Sequence, residues 1–140
     1  MTLFFDSSVL VAAMVEDEPR HEASLRALAG AQAGCASVHS LFECYAALTG
    51  GRLGTRLTPT DAAGMIRANL QDRLKLVSLT PGEQMEVVVS AGAVGARGGA
   101  VYDLLVLGAA RKAHADRILT LNLRHFMAFA PDLTDRITEP

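Results

Sequence analysis

Leu3-Phe4-Phe5-Asp6-Ser7-Ser8-Val9-Leu10-Val11-Ala12 is the stretch that decides the fold. Leu3-Phe4-Phe5 is short, apolar and aromatic, and Asp6-Ser7-Ser8 halts it, which reads as a buried strand ending at a polar turn. From Val9 to Met14 the chain turns apolar again and reads as the start of a helix. A strand leading straight into a helix opens an α/β unit, and the alternation recurs downstream. Glu16-Asp17-Glu18-Pro19 breaks the pattern, and Pro19 is expected to open a second helix through Leu28. A small strand is expected from Cys35 to Val38. Ser40 to Thr49 then reads as a helix with Leu41, Cys44, Tyr45 and Leu48 on one face. Gly50-Gly51-Arg52-Leu53-Gly54 reads as a loop. Thr58-Pro59-Thr60-Asp61 and Thr80-Pro81-Gly82-Glu83 share one design, a capping threonine, proline at the first helical position and an acid at the third. Between them Leu74 to Leu79 alternates as a strand. Gly98-Gly99 precedes a very apolar helix, Ala100 to Ala113, and Arg117 to Leu121 reads as a strand ending at Asn122. A short helix at Phe126 and a last strand near Arg136-Ile137 close the chain. Strands alternating with helices imply an α/β domain with a mostly parallel central sheet flanked by helices.

At 140 residues the chain fits a single domain spanning 1–140, and no repeat, low-complexity tract or linker divides it. Half of its residues are hydrophobic and 20% are charged, which supplies a core and excludes a disordered or solvating segment. A net charge of -2 excludes a bulk polyanion binder, so any contact with nucleic acid must be local. Only Lys75 and Lys112 are lysines; the other basic residues are arginines. Cys35 and Cys44 sit among apolar residues without Cys-x-x-Cys spacing, as expected of a protein kept in a reducing, cytoplasmic compartment. No basic leader or cleavage site follows Met1, and no uncharged apolar run approaches ~18 residues, so neither secretion nor a membrane span is expected.

Ligands of open α/β sheets bind outside the carboxyl ends of the strands. Asp6 and Asn122 are both expected there. Asp6 has an alternative reading as a helix N-cap. Asp103 lies in Gly99-Ala-Val-Tyr-Asp-Leu-Leu-Val-Leu-Gly-Ala-Ala, apolar on every face for its first turns, and such a helix is normally buried. A place in the first turn near the positive helix end is worth only ~0.3–1 kcal/mol. That is small beside the several kcal/mol needed to strip water from a carboxylate, so a site is the stronger reading for Asp103. Glu43 has two open readings: the fourth residue of a Ser40-x-x-Glu43 capping box, or an acid turned into a sheltered cleft beside Phe42 and Tyr45. Carboxylates without a clustered histidine or cysteine make a hard oxygen site, which selects Mg²⁺ or Mn²⁺ over Zn²⁺. His21, His39, His114 and His125 are scattered, and Cys44 reads as core filling.

Four stretches together resemble the PIN-domain ribonucleases. Phe5-Asp6-Ser7-Ser8-Val9-Leu10 resembles the N-terminal Asp-x-Ser/Asn-Val-Leu motif. Glu43 in Ser40-Leu-Phe-Glu-Cys-Tyr resembles the second acid, and Asp103 in Tyr102-Asp103-Leu-Leu-Val-Leu resembles the third. Leu119-Thr120-Leu121-Asn122-Leu123-Arg124-His125-Phe126 is similar to the closing Thr-x-Asp/Asn-x-x-Asp/His-Phe motif, with Asn122 and His125 where aspartates often stand. The short length is that of the VapC-type toxins of toxin–antitoxin pairs. The resemblance implies a three-layer PIN-like fold and a metal-dependent endoribonuclease. Its site residues would be Asp6, Glu43, Asp103 and Asn122, with Asp6 and Asp103 holding Mg²⁺ or Mn²⁺. Ser8 and Thr120 would support the ligands by hydrogen bonds. It also implies an antitoxin partner and a homodimer. Arg52 and Arg56 lie in an acid-free stretch and are candidates for phosphate contact, the alternative being a solvated loop. Two other readings compete. A phosphorelay receiver would need paired acids after the first strand and a well-placed lysine, which Ser7-Ser8, Lys75 and Lys112 do not provide. A PIN-like binding module that has lost turnover is the other, kept open by Asn122.

Overall fold

A computed structural model describes residues 1–51 and 56–140. Strand β1 (Thr2–Phe5) runs at the centre of a five-stranded sheet of order β3-β2-β1-β4-β5. Its neighbours are β2 (Ala33–Ser37) on one side and β4 (Arg117–Leu119) on the other. Strands β3 (Lys75–Val77) and β5 (Ile137–Thr138) form the edges, and every pairing is parallel. Helices α1 (Ser7–Met14), α2 (His21–Gly30), α3 (His39–Thr49) and α4 (Pro59–Ile66) precede β3 in the chain. Helices α5 (Pro81–Val94), α6 (Val101–Lys112) and α7 (Leu123–Phe129) follow it.

Phe4 and Phe5 explain the layering. Successive side chains of a strand point to opposite faces, and both rings are fully buried. Phe5 joins one core with Leu10, Leu28, Leu48 and Leu70, beneath α1 to α4. Phe4 joins a second core with Leu107, Ile118 and Phe126, beneath α6 and α7. A central strand buried on both sides requires helices on both sides, and the result is a three-layer α/β domain. Close packing reaches the backbone at Gly34, where a Cβ would stand 2.6 Å from Leu74 Cδ2.

Local signals set the starts of α4 and α5 and the end of α5. The Thr58 hydroxyl accepts from the Asp61 N–H at 3.1 Å, and Thr80 and Glu83 close a reciprocal capping box. Gly95 ends α5 in the left-handed region at φ 70°, where glycine is favoured. Several expectations change, the strand expected from Leu74 to Leu79 shortening to Lys75–Val77 and that from Cys35 to Val38 shifting to Ala33–Ser37. The second helix begins at His21 rather than Pro19. The fourth strand ends at Leu119 rather than Leu121, because the Thr120 side chain turns inward to bond Asp6. Ser40 lies inside α3 with its hydroxyl unpartnered, so it forms no capping box with Glu43; the Ser37 hydroxyl accepts from the His39 N–H instead. Among the described residues, no helix is long and apolar enough to cross a membrane.

Candidate active site

The strand order reverses at β1. From there the chain moves out through β2 and β3 and then crosses back to β4 on the other side. The crevice at such a switch point, outside the strands' carboxyl ends, is where open α/β sheets bind ligands. Asp6 follows the last residue of β1, and Thr120 follows the last residue of β4. Asp6 is buried at 3% exposure and occupies the N-cap position of α1, yet its side chain makes no capping bond. Its Oδ2 instead accepts from the Ser8 hydroxyl at 2.6 Å and from the Thr120 hydroxyl at 2.9 Å. Thr120 Oγ1 in turn accepts from the Asn122 N–H at 3.0 Å, and Ser8 Oγ accepts from the Leu121 N–H at 3.0 Å. The first turn of α1 and the loop after β4 are thus sewn together around one carboxylate.

Glu43 enters from α3. Ser7 donates to its Oε2 at 3.0 Å, so the adjacent serines divide their work, Ser7 serving Glu43 and Ser8 serving Asp6. The other oxygen, Oε1, is buried without a hydrogen-bond partner, and His39 Nε2 stands 3.4 Å from it. Burial lowers the pKa of His39, which keeps the ring neutral near pH 7. Asp103 lies in the first turn of α6, half-buried, with His125 Nδ1 3.9 Å from its Oδ2.

Three carboxylates share one electrostatic neighbourhood. Burial pushes Asp6 above the ordinary carboxylate range against the pull of the Ser8 and Thr120 hydroxyls. Glu43 is raised to about 6, first by burial and then by the charges of Asp6 and Asp103, with the Ser7 hydroxyl opposing. Asp103 is raised by burial and by Asp6, and His125 pulls it down. Each acid is held in a state that a nearby cation would relieve. Among the described residues, no three histidine, cysteine, aspartate or glutamate side chains converge tightly enough to hold an ion alone. The donor set still fits a hard divalent ion: oxygen atoms only, one of them orphaned on Glu43, and Mg²⁺ binds through one or two carboxylates while keeping several waters. A cavity of about 580 Å³ opens beside Ser7, Ser8 and Glu43 and is also lined by Glu18.

The remaining candidates divide. Asn122 is exposed at the N-cap of α7, and its link to the cluster runs through its backbone N–H rather than its amide. It lines a separate cavity of about 360 Å³ with Arg124 and His125. Arg56 is exposed, and Arg52 lies outside the described residues. Cys44 is fully buried in the core, as expected. Sequence reasoning missed Ser7 and His39. The His39-x-x-x-Glu43 spacing, one helical turn, was the signal for the second.

A family model for the PIN domain matches residues 3–129. The chain belongs to the PIN-domain family. This sets aside the phosphorelay-receiver reading, and the all-parallel sheet is that of a PIN-like α/β fold. The PIN domain is similar in fold to VapC20 of Mycobacterium tuberculosis, described as a sarcin-ricin-loop-cleaving toxin. The two share 17% identity and a TM-score of 0.72 over 93% of this chain and 94% of that one. It is also similar to a chain of Rickettsia felis VapBC2, whose complex holds a DNA fragment from the promoter. There the identity is 16% and the TM-score 0.61, over 89% and 90% of the two chains. Among curated proteins none matches the sequence.

Proposed function

We propose that this PIN domain is a divalent-metal-dependent endoribonuclease and the toxin of a toxin–antitoxin pair. The observation that carries the reading is the Asp6 carboxylate fixed by Ser8 and Thr120 at the switch point, with Glu43 held by Ser7 and its Oε1 buried and unpartnered. Asp6 and Asp103 would hold Mg²⁺ or Mn²⁺, which when bound polarises a phosphoryl oxygen and lowers the pKa of a water. Ser8 and Thr120 fix the Asp6 carboxylate so that its orientation does not depend on the ion. Glu43, with a pKa of about 6, can accept a proton from an attacking water near neutral pH. Asn122 would orient a water or a phosphate oxygen at the mouth of the site. Arg52 and Arg56 would contact the phosphates of a bound strand.

The similarity in fold to a toxin described as sarcin-ricin-loop-cleaving and to a chain of a VapBC complex supports this assignment. Helix α5 supports a protein partner. It buries no residue fully, and Met85, Val88 and Val89 on it are largely exposed. Apolar side chains clustered on an exposed face mark an association surface, here assigned to a homodimer or to the antitoxin. The free thiols Cys35 and Cys44, both buried, are compatible with a cytoplasmic protein.

The test is an incubation of the purified protein with structured RNAs, with and without Mg²⁺ or Mn²⁺, beside the Asp103→Asn variant. Cleavage that needs the ion and disappears in Asp103→Asn, with the fold retained, is the expected result. Wild-type cleavage by Asp103→Asn would remove Asp103 from the site. Metal binding without cleavage of any RNA would identify a PIN-like module that has lost turnover.

A further inference from the structure

Beside the carboxylates stands an aromatic pair that the hydrolytic chemistry does not use. The rings of His39 and Tyr102 are stacked, with centroids 5.0 Å apart and planes 9° from parallel. The pair joins two elements of the site. His39 opens α3 and reaches Glu43 Oε1, while Tyr102 directly precedes Asp103 in α6. Consecutive residues of a helix point about 100° apart, so the Tyr102 ring and the Asp103 carboxylate diverge, and the pair meets the acidic site through His39 Nε2, 3.4 Å from Glu43 Oε1. Tyr102 is 51% exposed although His39 covers one of its faces, and Phe42, one turn beyond His39, is 70% exposed. Leaving large aromatic surface in water costs free energy. His39 and Phe42 also line a cavity of about 200 Å³ that carries Ser78 and Gln84, groups suited to the polar edge of a planar ligand.

We propose that the Tyr102–His39 stack is a platform on which one unpaired RNA base seats next to the scissile phosphate. The inference rests on the nuclease reading and specifies how the substrate is held. Three features favour an RNA base over another occupant. The stack is planar, and a base extends it by one more layer in the offset-parallel geometry that aromatic rings prefer. The stacked rings carry no charge to hold an anion, so a neutral, flat base fits them better than a phosphate does. The His39 ring of the stack stands 3.4 Å from Glu43 Oε1, so the occupant sits beside a carboxylate of the site. Seating a base takes it out of its own stack and splays the strand, which exposes the adjoining phosphate and selects single-stranded or looped RNA over duplex.

The experiment uses the Asp103→Asn background, which is expected to bind RNA without cutting it. Single-stranded oligoribonucleotides carrying 2-aminopurine at successive positions are titrated with this protein and with versions that add Tyr102→Ala or Tyr102→Phe. Stacking quenches 2-aminopurine. The expected result is quenching at one position with Tyr102 and with Tyr102→Phe, and its loss with Tyr102→Ala. Affinity should fall on the order of 10-fold with the alanine variant, within the range of one base–aromatic stack, and the phenylalanine variant should restore it. Equal quenching and affinity in Tyr102→Ala would overturn the platform while leaving the nuclease reading in place. A Tyr102→Ala protein that loses self-association in sedimentation but binds RNA unchanged would overturn it too, giving the surface to a second copy of the chain. No binding of RNA by any of the three proteins, together with no cutting by the wild type in Mg²⁺ or Mn²⁺, would overturn both readings together.

Discussion

The Thr120 hydroxyl donates to Asp6 Oδ2 at 2.9 Å across 114 positions of sequence, and the bond is buried. It joins the ends of the two strands that flank the switch point, and with the Leu121 N–H bond to Ser8 it ties the loop after β4 to the acidic site. A hydrogen bond to a charged group contributes about 1.5–3 kcal/mol. Thr120→Val keeps the shape, removes the donor and also leaves the Asn122 N–H without its acceptor. We expect a loss of about 2 kcal/mol in denaturant unfolding and a marked drop in metal-dependent cleavage, with Thr120→Ser recovering most of both. A valine variant matching the wild type in both measurements would show that Asp6 is held by Ser8 alone.

Glu43 makes stability depend on pH. Its folded-state pKa is about 6, against 4.5 for an unperturbed glutamate. The native state therefore holds this proton to higher pH than the unfolded chain does. Stability from this group is greatest below pH 4.5 and falls as pH rises through about 6. Glu43→Gln removes the titration. We expect the variant to be more stable than the wild type at pH 7 by about 1 kcal/mol, with the difference closing below pH 4.5. Melting curves taken across this range check the sign, and a difference that widens on acidification would contradict the assignment.

Asn122 offers an amide where a carboxylate would add charge. Because the residue is exposed, Asn122→Asp should change metal-free stability by no more than about 0.5 kcal/mol. With a divalent ion present, a charged oxygen is the better hard ligand, and the concentration of Mn²⁺ for half-maximal binding should fall severalfold. Calorimetric titration measures it. An unchanged affinity would place residue 122 outside the metal's reach.

Arg52 and Arg56 should act through phosphate. Replacing both with alanine is expected to weaken single-stranded RNA binding at every sequence tested. It should also flatten the dependence of log affinity on log salt by about 1.4, the share of two counterions on a single strand. An unaltered slope would return this stretch to a solvated loop.

What the sequence determined by itself is what neighbouring residues settle between themselves. Leu3-Phe4-Phe5 followed by Asp6-Ser7-Ser8 had to be a buried strand meeting a helix, because apolar runs, polar stops and caps act over a few residues. The Thr58 and Thr80 caps were legible for the same reason. The apolar helix around Asp103 announced a carboxylate that needed a purpose. Only the tertiary structure decided that β4 lies beside β1, which puts the Thr120 hydroxyl on Asp6. It also decided between the two readings of Glu43. Ser40 and Glu43 have capping-box spacing, but Ser40 lies within α3 and Ser7, 36 positions earlier, takes the glutamate. The Tyr102–His39 stack is likewise invisible in sequence, since 63 positions separate the two rings. Spacing along the chain reports contacts within one helix or turn. Which strand ends meet, and which side chains are thereby stripped of water together, depends on how two cores close on opposite faces of one sheet.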